Sequence, residues 1–211
     1  MNHQSGSNTS VIEVFAEVTC PFAHVGLRRF VDRRDELGRD DVVLAVRAWP
    51  LEIVNGQAID RHHIAGVIGE IRRQIAPTLF DGFVEASVPA SSLGALALAA
   101  AAYEQSLETG EMVSLALRDL LFECGVDIGD VGVLEDLAAR HGISVDLTDI
   151  RGVHRDHERG MALEVIGSPH FFTPAGDFFC PALDVHRDAD GILDIRPNAQ
   201  RFERFITACL G

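Results

Sequence analysis

The stretch VIEVFAEVTCPFAHVG, at positions 11–26, does most to limit the folds open to this chain. Residues 11–18 alternate in character and are rich in Val, Ile and Phe, which predicts a β-strand. Pro21 suits the first turn of a helix, where its missing N–H has no partner to lose. The helical pattern continues to Leu37 and ends at Gly38. The strand therefore gives way to a helix at Cys20.

The rest of the chain alternates between strand and helix patterns in a simple order. Residues 42–49 predict a second strand that ends at Pro50, so strand, helix and strand favour a right-handed parallel unit. Helical patterns follow: a face with Ile64, Ile68, Ile71 and Ile75, then 92–108, 111–124, Asp130 to His141, and part of 146–164. Two short strands are predicted near 170–173 and 177–181, with a turn through Pro174, Ala175 and Gly176, and a last helix over 198–210.

The composition excludes several classes of partner. The formal net charge is −14, so neither nucleic acid nor an anionic membrane is an expected partner. The first ten residues are polar, are predicted to be disordered, and lack the basic end and apolar run of a signal peptide. The longest apolar stretch, LGALALAAAAY, is too short to span a bilayer. We therefore expect a cytoplasmic protein.

The cysteine positions argue against a disulfide framework and against a metal site. Cys20, Cys124, Cys180 and Cys209 are far apart, and no two lie within four residues of each other. His154 and His157 share a predicted helical face, but no third ligand accompanies them. No bound metal is expected.

Three motifs in this order resemble those of the DSBA-like thioredoxin family. They are CPFAHVG at 20–26, RAWPLEIVNG at 47–56 and VIGSPHFF at 165–172. This family includes FrnE-type oxidoreductases, kappa-class glutathione transferases and 2-hydroxychromene-2-carboxylate isomerases. The resemblance implies an α/β, thioredoxin-like fold (β-α-β, then β-β-α) with a large all-helical insertion. We expect a disordered N-terminus over 1–10, a thioredoxin-like domain over 11–56 and 165–211, and an insertion over 57–164.

Cys20 is the predicted catalytic nucleophile. The free N–H groups and the dipole at a helix N-terminus favour an anion, so we expect a stabilised thiolate, the form that attacks disulfides. The alternative is a small buried apolar residue. His24 lies four residues further on and is a candidate to hold charge near the thiolate or to shuttle a proton; a structural or solvent-facing imidazole is its alternative.

Ala23 departs from the family's dithiol pattern, in which a second cysteine at this position releases the reduced partner. Three consequences remain open. Cys20 acts as a monothiol that a low-molecular-weight thiol resolves, or it binds and activates a thiol cofactor as in the transferase and isomerase branches, which usually carry Ser here, or a distal cysteine resolves. Cys180 is the distal candidate: the predicted hairpin returns it to the level of Phe171, about 10 Å from Cys20 between Cα atoms, beyond the limit of about 7 Å for a disulfide. A packed strand cysteine is its alternative.

The resemblance also implies a substrate-positioning loop. Pro169 is expected to be cis, which turns the Ser168 backbone toward the thiol, where its N–H and C=O can pair with an extended substrate. A trans proline at the start of an edge strand is the alternative. Pro21, Phe22 and His170 complete the predicted substrate-positioning set.

These observations predict a thiol–disulfide oxidoreductase-like enzyme with a single active-site cysteine. We expect no tightly bound cofactor, glutathione or mycothiol as the co-substrate, and a small-molecule thiol or a protein disulfide as the partner. The alternatives are a thiol-dependent transferase or isomerase and a non-catalytic binding module. The apolar insertion is compatible with a homodimer.

Overall fold

The chain alternates strands and helices in a computed structural model that describes residues 9–188 and 193–211. The strands are β1 (Ser10–Ala16), β2 (Val42–Ala48), β3 (His170–Thr173), β4 (Gly176–Phe179), β5 (Leu183–Arg187) and β6 (Leu193–Pro197). The helices are α1 (Pro21–Glu36), α2 (Leu51–Val54), α3 (Arg61–Gln74), α4 (Leu93–Gln105), α5 (Leu107–Phe122), α6 (Val131–Arg140), α7 (Arg151–Ala162) and α8 (Ala199–Leu210). None of the helices within these described ranges combines the length and the hydropathy that a bilayer crossing requires.

Four strands form the main sheet in the order β2-β1-β3-β4. β1 and β2 are parallel and are joined through α1, which makes the predicted β-α-β unit. β3 runs antiparallel to β1, and β3 and β4 form a hairpin across the predicted turn. The predicted thioredoxin-like fold is confirmed. This order sets the C-terminal end of β1 beside the N-terminal end of β3, because Phe15 lies opposite His170.

The two faces of β1 pack against different layers. Ile12, Val14 and Ala16 point to one face, where side chains of α1 and α8 cover them. Phe15 points to the other face and contacts the ring of Trp49 edge to face. This alternation is the two-residue period of a strand that is buried on both sides. The N-terminus of α1 is thereby held at one end of the sheet.

Helices α3 to α7 form the insertion and share an apolar core. Ile64, Ile68 and Ile71 are buried on one face of α3, as their spacing predicts. α6 begins at the predicted cap, where the Asp130 side chain accepts a hydrogen bond from the Val133 N–H. The helices of this region could therefore be predicted from the sequence.

The boundary between α4 and α5 differs from the prediction. The two helices meet at Ser106, whose side chain accepts a hydrogen bond from the Thr109 N–H and caps α5. At the end of α4, the Tyr103 hydroxyl accepts a bond from the Val46 N–H at 2.8 Å and donates one to the Leu44 carbonyl at 2.9 Å. The insertion thus covers the open edge of β2, which would otherwise present unpaired backbone groups.

Three features were not predicted from the sequence. α2 is a single short turn after Pro50, and β5 and β6 form a separate two-stranded antiparallel sheet. The Gln74 side chain donates to the Leu193 carbonyl and accepts from the Ile195 N–H, so the second sheet is anchored to α3. β1 also begins at Ser10, inside the segment predicted to be disordered; residues 1–8 of that segment lie outside the described ranges.

Candidate active site around Cys20

Cys20 is the N-cap residue of α1, and Pro21 is the first residue of the helix. The Sγ atom lies 3.3 Å from the Ser168 carbonyl oxygen and is placed to donate a hydrogen bond to it. Only 7% of the residue is exposed. The motifs at 20–26 and 165–172, which are far apart in sequence, therefore meet at the thiol.

The Ser168–Pro169 peptide bond is cis, which confirms the prediction. The Ser168 hydroxyl oxygen accepts a hydrogen bond from the Glu17 N–H at 3.0 Å. The Pro169 carbonyl accepts one from the Cys180 N–H at 2.9 Å. A methyl group at Gly26 would lie 3.4 Å from Pro169 Cγ, so α1 packs closely on the proline ring. The hydrogen bonds from Glu17 and Cys180 and the packing of α1 on Pro169 therefore fix the loop that faces Cys20.

Burial controls the ionisation of the Cys20 thiol. Desolvation is the largest effect and raises its pKa above the ordinary value, and the nearby charge of Glu17 raises the pKa further. Hydrogen bonds with Ser168 and with the backbone N–H groups of Ala23 and Phe22 act in the opposite direction. The expected thiolate stabilisation is therefore wrong for the resting protein. The helix N-terminus is present, but the tertiary burial around the sulfur outweighs it.

The exposed part of Cys20 borders a cavity of about 470 Å³. The cavity is lined by Thr19, Cys20, Pro21, Phe22, Leu51, Glu52, Asn55, Gln57, Ala58, Ile59, Asp60, His63, Ile64, Val67 and Ser168. α2 and the first half of α3 form the wall opposite the thiol. Phe22 and Ser168 also line a neighbouring cavity of about 410 Å³, which reaches Cys180. Of the predicted positioning residues, Pro21, Phe22 and Ser168 border the Cys20 cavity directly.

The first turn of α1 offers a single thiol. Ala23 is fully buried on the inner side of the helix, and its side chain packs in the core with Leu27 and Phe30. Its backbone N–H faces the Cys20 sulfur. The position is therefore near enough to Cys20 to influence its chemistry, but an alanine there has no group that attacks a disulfide.

Cys180 lies on the other side of the cis-proline loop. Its N–H bonds to the Pro169 carbonyl, so it stands level with Pro169 and not, as predicted, with Phe171, which pairs with Phe178. It follows β4 in a left-handed backbone conformation, with φ at 43°. Burial raises the pKa of its thiol to about 12, and the charge of Cys20 contributes to the rise. The two sulfurs are thus electrostatic neighbours, and all four cysteines are free.

The structure does not bring His24 to the thiol. Its imidazole is buried between the rings of Phe80 and Phe122, and Nε2 lies 2.6 Å from Glu123 Oε1. Burial lowers the pKa of His24, while Glu123 acts to raise it. Glu123 also accepts a hydrogen bond from the Phe80 N–H. These contacts fit the structural alternative: the side chain joins α1 to the insertion.

His170 also faces away from the cavity. Its Nε2 lies 2.8 Å from Asp177 Oδ2, and Nδ1 accepts a weak bond from the Ile166 N–H at 3.4 Å. The ring is buried and closes the loop before β3. In the part of the chain that the structure describes, no three His, Cys, Asp or Glu side chains come together in a way that suits a metal ion.

Glu17 belongs to the site and was not identified from the sequence. Its buried carboxylate accepts hydrogen bonds from the Thr19 N–H, the Leu51 N–H and the Ser92 hydroxyl. Arg118, which is also buried, donates to the Glu17 carbonyl. Burial raises the pKa of the Glu17 carboxyl. Glu17 ties the loop before α1 to α2 and α4, and its only sequence signal is an acidic residue inside an apolar run.

No protein-family model matches the sequence, and no curated protein matches it. Several solved structures are similar to this chain. The cytosolic disulfide reductase DsbM from Pseudomonas aeruginosa aligns with a TM-score of 0.59 and 12% identity, over 93% of this chain and 97% of that one. DsbM with GSH gives a TM-score of 0.57 at 13% identity, over 80% and 88%. A 2-hydroxychromene-2-carboxylate isomerase gives the same TM-score, identity and coverage.

The alignments cover nearly the whole of both chains in the case of DsbM, including the helical insertion. Identities of 12% to 13% establish a shared fold and leave substrate and reaction open. The chain has the thioredoxin-like fold that it shares with these disulfide reductase and isomerase structures, with helices α3 to α7 placed between β2 and β3.

Proposed function

We propose that this chain is a monothiol thiol–disulfide exchange enzyme with Cys20 as its nucleophile. The observation that carries the proposal is the position of the Cys20 sulfur. It lies at the N-terminus of α1, 3.3 Å from the carbonyl that precedes the cis proline, and at the edge of a cavity of about 470 Å³. The same place in the fold combines a nucleophile, backbone N–H groups and a backbone acceptor for an incoming substrate.

The exchange needs two balanced steps. The Cys20 thiolate attacks one sulfur of a disulfide, forms a mixed disulfide and releases the other sulfur as a thiolate. A low-molecular-weight thiolate then attacks the mixed disulfide, frees the Cys20 thiolate and leaves as a new disulfide. The net reaction releases one sulfur of the substrate disulfide as a thiolate and leaves the other in a disulfide with the low-molecular-weight thiol, so turnover needs no second cysteine at position 23.

The likeness to DsbM supports this proposal, because that protein is described as a cytosolic disulfide reductase and was also solved with GSH. Transferred to this chain, the comparison suggests a small thiol as co-substrate in a reducing compartment. The four free cysteines are compatible with such a compartment.

We assign different roles to the residues around Cys20. The Ser168 and Pro169 backbone receives the substrate, and Pro21 and Phe22 shape the entrance. We propose that His24 positions α1 through Glu123 and moves no proton at the sulfur, since its ring is buried in the insertion. His170 similarly supports the loop from behind.

The raised pKa of Cys20 has a kinetic consequence. Only the thiolate attacks, so the rate of the first step should increase with pH beyond the range in which an ordinary thiol is already ionised. The backbone N–H groups of Phe22 and Ala23 stabilise the anion once it forms. Exchange at neutral pH is then slower than for a fully ionised thiol, but it is directed to one cysteine by the geometry.

The experiment is to trap the mixed disulfide. A Cys124→Ser background removes the exposed cysteine, and the protein is incubated with a low-molecular-weight disulfide, quenched in acid and measured by intact mass and peptide mapping. We expect one adduct, on Cys20, whose rate of formation rises with pH. Addition of the free thiol should remove the adduct and release the oxidised thiol, and Cys20→Ser should abolish both steps. Adduct formation on Cys180 in preference to Cys20, or no adduct at any pH, would contradict the proposal.

One observation favours a second candidate, a thiol-dependent isomerase or transferase. Burial favours the neutral form of the Cys20 thiol, whose hydrogen bond to the Ser168 carbonyl can be exchanged for one to the thiolate of a bound cofactor, and the helix N-terminus stabilises that thiolate. The likeness to a 2-hydroxychromene-2-carboxylate isomerase agrees with this candidate. It predicts activity that requires a free thiol, consumes no disulfide and survives Cys20→Ser, because a serine hydroxyl also donates. Loss of that activity in Cys20→Ser would argue against it.

A further inference from the structure

The walls of the Cys20 cavity carry negative charge. Glu52 and Asp60 both line it, together with the amide side chains of Asn55 and Gln57. Of the lining residues in the described part of the chain, His63 is the one whose side chain becomes cationic on protonation. Among the residues that the structure describes, no arginine lines this cavity, and the chain contains no lysine. The cavity therefore has hydrogen-bonding groups for a polar ligand but no fixed cation for an anionic one.

Both lining carboxylates are held in place by hydrogen bonds. Glu52 accepts bonds from the Ser91 hydroxyl and from the Ser92 N–H at 2.7 Å. Asp60 caps α3 by accepting a bond from the His63 N–H at 3.0 Å, which lowers the pKa of the Asp60 carboxyl. Glu52 of α2 is thus bonded to the N-terminus of α4, and Asp60 is the N-cap of α3, so hydrogen bonds fix both carboxylates in the cavity wall.

Three arginines around the site, Arg61, Arg118 and Arg201, do not line the Cys20 cavity. Arg61 follows Asp60 but is not among the lining residues. Arg118 is buried beneath the loop before α1, where it donates to the Glu17 carbonyl. Its charge acts on Cys20, but it also interacts with the buried Glu17 carboxylate, which opposes it, and Arg118 does not line the cavity. Arg201 lies in the neighbouring cavity, 3.0 Å from Asp184. Within the ranges 9–188 and 193–211, an anionic group in this cavity would meet the carboxylates of Glu52 and Asp60 and no arginine in the wall.

We infer that the thiol co-substrate of Cys20 carries no carboxylate, and that its hydroxyl and amide groups bind Asn55, Gln57 and Asp60. This inference rests on the proposed exchange function and names the chemical class of its co-substrate. Glutathione brings two carboxylates to the cavity. A thiol on an uncharged, hydroxyl-rich body, the class to which mycothiol belongs, brings none and offers donors to the lining carboxylates. The neutral class is the one that this cavity fits.

The test compares two probes that differ only in charge: the disulfide of N-acetylcysteine and the disulfide of N-acetylcysteine amide. The rate of adduct formation on Cys20 is measured by intact mass in the Cys124→Ser background at low ionic strength. Each rate is divided by the rate of the same disulfide with dithiothreitol, which removes intrinsic differences in reactivity. We expect the normalised rate of the amide to exceed that of the acid by about fivefold or more, from like charges about 4 Å apart in water. About 1 M salt, where the Debye length is about 3 Å, should remove most of the difference.

Matched variants locate the source of the preference. Glu52→Gln with Asp60→Asn keeps the hydrogen-bond acceptors and removes both charges, so the ratio of amide to acid should fall toward one. Asp136→Asn removes a charge on exposed α6, outside the cavity lining, and should leave the ratio unchanged. Gln57→Arg places a cation in the wall and should favour the acid.

The possible outcomes distinguish a failure of the inference about charge from a failure of the proposed exchange function. A wild-type ratio near or below one, or a ratio that the Glu52→Gln and Asp60→Asn pair does not lower, overturns the inference about charge while adduct formation still supports exchange. If neither probe modifies Cys20 at any pH, the exchange function itself fails.

Discussion

The two thiols on either side of the cis-proline loop have nearly the same burial. Cys20 is 7% exposed and Cys180 is 8% exposed, and burial raises the pKa of both. Their local backbones differ. Cys20 caps a helix, with the N–H groups of Phe22 and Ala23 directed at its sulfur, whereas Cys180 follows a strand in a left-handed conformation. Of these two thiols, only Cys20 has backbone N–H groups at a helix N-terminus that stabilise a thiolate.

The difference shows that burial alone does not identify a reactive cysteine. Near Cys180 the stabilising groups are the side chains of Arg201 and Arg29, and Arg201 is already bonded to the Cys180 carbonyl and paired with Asp184. Near Cys20 they are the Ser168 side chain and the backbone N–H groups of Ala23 and Phe22, and these N–H groups have no other partner within the helix. We therefore expect a mixed disulfide to be stabilised and attacked at Cys20. We expect Cys180 to take no part in the exchange.

The largest expected effect comes from giving Cys20 a partner in its own helix. In Ala23→Cys the new thiol stands three residues from Cys20, within the range of a disulfide. Its thiolate attacks the mixed disulfide on Cys20, which expels the substrate thiolate and leaves a 20–23 disulfide that dithiothreitol reduces. We expect insulin reduction with dithiothreitol to rise at least tenfold, a change of about 1.4 kcal/mol in the barrier.

Cys180→Ser is the matched comparison for that gain. It should leave the monothiol exchange rate within about twofold of the wild type, a change below about 0.5 kcal/mol. If Cys180 is a distal resolving cysteine, this variant will instead accumulate the mixed disulfide on Cys20. That accumulation, or a failure of folded Ala23→Cys to gain activity, would contradict the contrast between the two thiols.

Removing the hydroxyl of Ser168, in the loop between the two thiols, should lower the stability of the fold. Ser168→Ala leaves the buried Glu17 N–H without its 3.0 Å acceptor, and an unpaired buried donor costs about 1–3 kcal/mol. Urea unfolding should show a loss of that size. Ser144→Ala, on an exposed loop, is the control and should change the free energy of unfolding by less than about 0.5 kcal/mol. Equal losses in both variants would mean that the hydroxyl does not anchor the loop.

The smallest expected effect is on stability at alkaline pH. The Cys180 thiol has a folded pKa of about 12 against an ordinary value of 9.0. Between these values the folded state keeps a proton that the unfolded state loses, so stability falls as pH rises above about 9. Cys180→Ala should reduce the loss of unfolding free energy between pH 8 and pH 10 by roughly 1 kcal/mol.

Cys124→Ala provides the control for this pH dependence, because Cys124 is exposed. Its stability should follow the wild-type curve over the same range. Denaturant midpoints measured at several pH values test both variants. A Cys180→Ala curve parallel to the wild type would show that the thiol ionises equally well in both states.

The order of strands and helices was predictable because the residue pattern that indicates each element is local in the sequence. The alternation in β1, the isoleucine stripe of α3 and the Asp130 cap of α6 depend on neighbours a few residues away. The β5 and β6 hairpin was missed because its strands are short and polar, and its place is set by Gln74 of α3, more than a hundred residues earlier. Glu17 and Arg118, which are in contact, are likewise 101 positions apart in the sequence.

By itself the sequence determined the thioredoxin-like order, a lone thiol at a strand-to-helix junction, and the cis proline opposite it. The element order and the position of the thiol follow from local propensity, whereas the cis proline was implied by the resemblance of a contiguous motif to those of a known family. Only the tertiary structure decided how that thiol ionises, where His24 points and what charge surrounds the substrate, because burial, side-chain partners and cavity walls are assembled from remote segments.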